Sequence, residues 1–293
     1  MKIKDSRSRR GFLMANNIVL AIIAFLCFAP MWHVICCSIS DPATIAREGG
    51  IRLLPAAPFS FAGYQAVLSY RNILIGYGNT LFYVVVGILL NLVLTVPSAY
   101  VLSRKRFQHR NDFMLILSFT MLFNGGMIPT YLVYVHLNLT DTRAAILLSS
   151  AFSVFNLVIL RTSFLEVPES LEESALLDGA NDLQILLKII VPLSKASIAV
   201  ISLFVAVGIW NSWFTSSIYL LDRNKWPLQM FLREVLINNS QKSLENGVNA
   251  SAMALQTLVK YAIIVIATLP FLCIYPFVQR YFVKGVMIGS VKG

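Results

Sequence analysis

The chain has 293 residues, of which 57% are hydrophobic and 13% charged, with a formal net charge of +10 and a mean hydropathy of +0.71. So much apolar surface with so little charge excludes an ordinary soluble domain and leaves an integral membrane protein. The positive balance fits Lys and Arg retained on the cytoplasmic side of a bilayer, and no aromatic-rich basic module supports nucleic-acid binding.

Residues 1–16 carry Lys2, Lys4, Arg7, Arg9 and Arg10. The apolar run from Asn17 to about Ile39 matches the roughly 20 residues that cross a bilayer and has no small-x-small cleavage site after it. It reads as an uncleaved first span, bent by Pro30. A short amphipathic segment, Phe61 to Tyr70, is capped by Ser60 and placed along the outer interface. Span two runs from about Leu74 to Leu102 and ends in Arg104, Lys105, Arg106 and Arg110. Span three, Phe113 to Val135, is interrupted by Asn124, Gly125, Gly126 and Pro129, which either lines a pathway or forms a close-packed kink. Span four covers Ala144 to Arg161 and span five Ala196 to Ile218, with Trp210 and Trp213 at an interface. A long outer segment, 219–260, holds two helical stretches, and span six runs from Tyr261 to Val283.

Between spans four and five lies a stretch that cannot sit in lipid, Val167 to Pro192, with Glu169, Glu172, Glu173, Asp178 and Asp182. Ser170 and Glu173 have capping-box spacing, so a helix is expected from Leu171. Gly179 ends it, Asn181 with Gln184 starts a second, and Pro192 stops or bends that one. The pair fits either a solvated interfacial element or a docking knob. The expected architecture is all-α: a cytoplasmic tail (1–16), a six-span domain (17–283) and a second cytoplasmic tail (284–293). Most of the 24 Lys and Arg then fall on inner segments, which puts both termini and the acidic pair in the cytoplasm.

Enzyme chemistry finds no footing. There is no G-x-x-x-x-G-K-[ST], H-E-x-x-H or G-x-S-x-G. The four cysteines read as packing residues and the three histidines have no metal-binding company in sequence. The span interiors lack a buried Asp, Glu, Lys or Arg, which argues against a self-powered, ion-coupled carrier. They offer neutral polarity instead, including Asn91, Asn124, Tyr131, Asn156 and Asn211, which either tie helices together or face a polar solute.

Glu173, Ser174, Ala175, Asp178, Gly179 and Ala180, followed at the right distance by Ile189, Val191 and Pro192, resemble the EAA loop of ABC-importer permeases, with Ser174 for an alanine and Val191 for a leucine. Asn79-Thr80, the string Asn124 to Tyr131, Trp210-Asn211-Ser212-Trp213 and the tail Gly285 to Gly293 narrow the resemblance to the maltose-type carbohydrate-uptake class. The span-three and tail strings are most similar to its branch for polysaccharide breakdown products, including uronate-rich ones such as alginate fragments. The resemblance implies a non-catalytic subunit of a bacterial inner-membrane importer, paired with a second, unlike permease. Two ATPase subunits, holding ATP and Mg, would lie below it and a solute-binding protein above. Glu173 to Ala180 would seat in an ATPase groove, with Ala175 permitting close approach and Gly179 the turn. Gly289, Ser290 and Lys292 of the tail would enter between the ATPases. The alternative is a self-sufficient channel or secondary carrier whose acidic connector is only a solvated loop.

Overall fold

The computed structural model describes residues 7–48, 50–123, 125–245 and 250–289. Asn124, Ser290 and Lys292 lie outside the described residues. Regular structure is helical throughout these residues, in the order α1 (Arg7–Ser38), α2 (Pro42–Glu48), α3 (Ala62–Ser69), α4 (Arg71–Ser103), α5 (Arg110–Leu122), α6 (Met127–His136), α7 (Arg143–Ser149), α8 (Val154–Leu165) and α9 (Glu169–Leu177). Then come α10 (Asp182–Ile185), a π-helical turn (Leu186–Ile190), α11 (Val191–Leu193), α12 (Lys195–Trp210), α13 (Trp213–Tyr219), a 3-10 turn (Arg223–Lys225), α14 (Leu228–Glu245) and α15 (Ala250–Gly289). The chain divides into two compact units, one taking the sequence up to Arg71 with Glu234–Leu269, the other Asn72–Arg233 with the stretch from Pro270 onward.

In the first unit, α1 is long and apolar enough to cross a membrane. Pro30 is carried inside this helix. The end of α1 is stapled to the following loop: His33 Nδ1 accepts from the Arg52 amide (3.0 Å), Trp32 Nε1 donates to the Leu53 carbonyl (2.8 Å), and Ser40 Oγ accepts from the Ala56 amide (2.9 Å). Asp41 takes the Thr44 amide and hydroxyl at the start of α2, and these bonds hold its carboxyl below the usual range. Cys37, Ile45 and Leu258 form a small apolar cluster with Ala62 and Tyr261 against it. The segment expected at the outer interface forms α3, which buries Gly63 and Val67 in this unit and leaves Phe61 and Leu68 exposed. Ser60 is not the cap: the N-cap of α3 is Phe61, with no side-chain bond, and Ser60 Oγ one position earlier accepts from the Ala62 amide (3.3 Å).

In the second unit, α4 is also long and apolar enough to cross a membrane. It packs through Tyr83, Ala99 and Tyr100 into a core with Ile146, Leu157, Leu160, Phe164, Ile185, Ile190, Ile201 and Ile209. A Cβ on Gly87 would meet the tip of the Ile209 side chain, so glycine leaves that side chain its room. Three bent pairs could each serve as one span: α5 with α6 (110°), α7 with α8 (48°), and Asp182–Leu193 with α12 (82°). The break between α5 and α6 falls where the glycines forecast it.

Span four, expected as one helix, is broken at Ser150–Ser153. The freed carbonyls of Ser150 and Ala151 accept from Asn91 Nδ2 (3.2 Å each), and Ser153 Oγ takes the Asn156 amide (3.4 Å). A remote asparagine thus satisfies what the break exposes in an apolar interior. Trp210, assigned to an interface, is 5% exposed and meets Tyr77 edge-on. The second outer stretch, span six and the start of the tail are one helix, α15, rather than separate segments; Ala254–Pro270 is its recognised apolar section. The helix continues through Pro270, Pro276 and Gly285, residues that would ordinarily mark an end or a kink.

The start of α4 grips the connector after α13. Asn79 Nδ2 donates to the carbonyls of Asn224 (2.7 Å) and Trp226 (3.0 Å), Tyr83 Oη to that of Lys225 (2.7 Å), and the Leu228 amide to Thr80 Oγ1 (2.8 Å). Arg143 Nη2 donates to Asn79 Oδ1 (3.2 Å). Asp141 accepts from the amides of Leu221 (3.1 Å) and Asp222 (2.9 Å) and pairs with Lys225 (3.2 Å).

Candidate functional site

At the other end of α4, the acidic stretch forms two helices joined by a tight turn. The expected capping box at Ser170 is absent: α9 starts at Glu169 behind Pro168, which has an extended ψ of 131°. Proline fixes φ for chain entry, and Glu169 and Glu172 in the first turn oppose the helix dipole, so no side-chain cap is needed. Ser170 lies inside the helix, its carbonyl accepting from Ser174 Oγ (2.8 Å).

α9 ends in a Schellman turn. The Ala180 amide donates to the Ala175 carbonyl (2.9 Å) and the Gly179 amide to that of Leu176 (3.0 Å), with Gly179 at φ +81°. α10 opens with the forecast reciprocal box: the Gln184 amide donates to Asn181 Oδ1 (2.9 Å) and the Asn181 amide to Gln184 Oε1 (3.0 Å). The helix does not stop at Pro192. It widens into the π-helical turn, where the Val191 amide reaches the Leu186 carbonyl. The chain then bends at Ser194, two residues beyond the proline.

The helix pair is fastened to its own chain. Three consecutive residues after α4 each take one acid: Arg104 pairs with Glu172, Lys105 with Glu169 (2.8 Å) and Arg106 with Asp182. The hydrogen bond that Arg106 donates to the Asp182 carboxylate raises the Arg106 pKa further, keeping it charged. Only the Arg104–Glu172 pair is screened from solvent, its side chains 9% and 14% exposed.

Glu173 and Asp178 are exposed and make no ion pair among the described residues. They are the uncommitted charges of the knob. Beside them Leu177 is 90% exposed, an apolar side chain on a polar helix that no described residue covers. Ala175 and Ala180 are partly buried and pack against the core of their own unit. Ile189 is half-buried and Pro192 exposed. An open cleft of about 420 Å³ separates Pro97, Tyr100 and Phe107 from Leu183 and Leu186 of the second helix.

The proposed pathway residues have diverse surroundings. Asn91 is fully buried and holds the α7–α8 break, and Asn156 is 5% exposed at the same place. Asn211 is exposed, its Nδ2 donating to the Val207 carbonyl (3.0 Å). Tyr131 is 38% exposed and stacks on Tyr219 (6.2 Å between centroids). Gly289 is the last residue of α15. Among the described residues no cluster of His, Cys, Asp and Glu could hold a metal ion.

Sequence reading missed Arg104, Lys105 and Arg106 as partners of the helix pair, taking them only as the end of a span. The available signal was the match between three consecutive bases and the acids of the connector. It also passed over Leu177, whose position beside Asp178-Gly179 on a polar helix marks it.

Comparison with known proteins agrees with this architecture. Residues 10–288 match the family described as binding-protein-dependent transport system inner membrane component. The chain is 42% identical over 280 residues to the polygalacturonan/rhamnogalacturonan transport system permease protein YtcP of Bacillus subtilis (strain 168), covering 94% of this chain and 96% of that one. It is 39% identical over 289 residues to the protein LplC of the same organism, covering 99% and 97%. Among solved structures, a chain of a bacterial ABC transporter involved in the import of the acidic polysaccharide alginate superposes with a TM-score of 0.84 at 36% identity, covering 96% of this chain and all of that one. The chain belongs to the family of binding-protein-dependent transport system inner membrane components, the non-catalytic membrane permeases of ABC importers.

Proposed function

We propose that the chain is a permease subunit that passes acidic oligosaccharides inward, with α9 and α10 as its coupling helices. The observation that carries the coupling role is the knob itself: an exposed Leu177 flanked by unpaired Glu173 and Asp178, on helices fastened to the chain beneath. A solvated connector has no reason to hold an exposed leucine on a rigid frame. In this reading the bilayer holds six spans, formed by α1, α4, α5 with α6, α7 with α8, α12, and α15, with both termini and the knob in the cytoplasm.

Two ATPase subunits bind the knob and hold ATP and Mg²⁺, a second, unlike permease completes the membrane part, and a solute-binding protein delivers cargo. ATP binding draws the ATPases together, the knob follows, and the bistable helix bundle opens outward; hydrolysis resets it. Ser290, Lys292 and the end of α15 at Gly289 contact the ATPases. The relatives named for polygalacturonan/rhamnogalacturonan and for alginate support a uronate-rich cargo. Arg143 and Arg161 of the α7–α8 span are bonded to Asn79 and the Leu102 carbonyl of this chain, so basic groups for the cargo are expected from the second permease.

Reconstitution tests this. The full complex should take up oligogalacturonate or alginate oligosaccharide only with ATP and binding protein. Flux through this chain alone, indifferent to ATP, would establish the channel or carrier instead. Ligand binding by the solute-binding protein decides the cargo: preference for neutral maltotriose would overturn the uronate assignment.

A further inference from the structure

Arg104 occupies a junction that the three ion pairs alone do not explain. Its guanidinium reaches three elements at once. Nε donates to Ser103 Oγ at the end of α4 (2.9 Å), Nη2 to the Phe164 carbonyl in the last turn of α8 (2.8 Å), and Nη1 pairs with Glu172 of α9. The Tyr100 ring lies beneath it, 5.1 Å from its centre. From the opposite direction, Arg161 Nε in α8 donates to the Leu102 carbonyl in the last turn of α4 (2.8 Å).

Two helices therefore exchange arginines. Each sends a guanidinium to a carbonyl in the other's last turn, where unpaired carbonyls and the negative end of the dipole favour a cation. Arg104 alone extends that exchange outward to α9. Its residue is 8% exposed, so the contact with Glu172 is little screened, in contrast to the exposed pairs made by Lys105 and Arg106. A lysine could not reproduce this, because one ammonium lacks the planar fork that serves three acceptors in different directions.

We propose that Arg104 is the positioning residue that makes α4, α8 and α9 move as one body, so that displacement of the knob is delivered to these two helices rather than lost in the connector. The proposal rests on the coupling role given to α9 above. Lys105 and Arg106 then trim the alignment of the helix pair without carrying the motion.

The test uses spin labels at exposed positions 101 on α4 and 170 on α9, together with ATP turnover and uptake in the full reconstituted complex, with oligogalacturonate as the probe. The unsubstituted complex should give a narrow label distance that is the same with and without bound ATP. Arg104→Gln should broaden the distance and raise the ATP hydrolysed per solute carried by roughly tenfold, the range of a typical coupling energy. Arg104→Lys and Glu172→Gln should give the same broadening in smaller degree, which keeps the test decisive if the first variant fails to assemble. Lys105→Gln should change the ratio by less than about twofold, as expected for an exposed pair. Narrow distances and an unchanged ratio in Arg104→Lys and Glu172→Gln would overturn the inference. Failure of ATP to drive uptake in the unsubstituted complex would count against the importer reading, while the label distances would still decide the fastening.

Discussion

At its start α4 holds the connector after α13 through buried side chains that bond to backbone groups, Asn79, Thr80 and Tyr83 each finding a carbonyl or amide of residues 224–228. At its finish the same helix holds α9 and α10 through side chains that pair with other side chains, and two of the three pairs are exposed. The first kind of attachment has one geometry and is costly to leave half-made. The second tolerates small displacement, is weakened by salt and exchanges with water. One end of α4 is built to stay and the other to be pushed, with Arg104 as the point where the two manners meet.

The contrast breaks most severely at the knob's turn. Gly179 has φ +81° with open space where a Cβ would stand, so substitution is opposed by backbone strain within the chain and not by crowding. Gly179→Trp is expected to abolish coupled uptake while membrane levels of the protein persist. Gly179→Ala, bearing only the left-handed penalty of about 1 kcal/mol, should retain part of it. Wild-type uptake in the tryptophan variant would remove the docking role.

Next in size is Asn91→Ala, which orphans the carbonyls of Ser150 and Ala151 and should lower stability by about 1–3 kcal/mol in thermal unfolding in detergent. Asn79→Ala strips the connector of two bonds, but its carbonyls lie nearer the surface and can turn to water. A loss of about 1 kcal/mol is expected, with faster proteolysis around residue 224 as the local sign. Asn181→Ala removes one half of the α10 box and should cost about 1 kcal/mol, readable as lower coupling at unchanged overall stability.

The smallest effect is acidic. The Asp222 amide, ahead of Lys225, holds the Asp141 carboxyl below its usual range, and the Asn224 amide does the same for Asp222. A depressed folded pKa contributes stability that is complete above the unfolded value and is lost as pH falls through the folded one. The connector should therefore loosen only below about pH 4, and Asp141→Asn should show a flatter acid limb in a proteolysis assay. An unchanged limb would mean that the backbone bonds from Asn79 and Tyr83 suffice.

Local signals in the chain were legible before any coordinates. Gly125-Gly126 marked the break in span three, Gly179 the turn, and Asn181 with Gln184 the second helix start. Each is a short-range preference of a residue for its own backbone. Features that depend on distant partners escaped. Ser150 to Ser153 contain no glycine or proline, and the break there is stabilised by Asn91, some sixty residues earlier. Ser170 had the spacing of a cap but was overruled by Pro168, two positions before it. Arg104 to Arg106 looked like an ordinary end of a span because their acids lie beyond four further helices. Residues 250–289 form a single helix because a lysine and a tyrosine in mid-run, which mark a membrane boundary in sequence, place no constraint on the backbone.

The π-helical turn at Leu186–Ile190 holds one residue more than an α-helical turn would. Because the turn takes up that residue within itself, removing one there should let the helix close to ordinary pitch with its flanks nearly in register, whereas removing one from the α-helical turn at Asp182–Ile185 would rotate everything on the N-terminal side by roughly 100° relative to α11. The direction in which Leu177 points thus tolerates a one-codon deletion within the wide turn and is lost by the same deletion a few positions earlier.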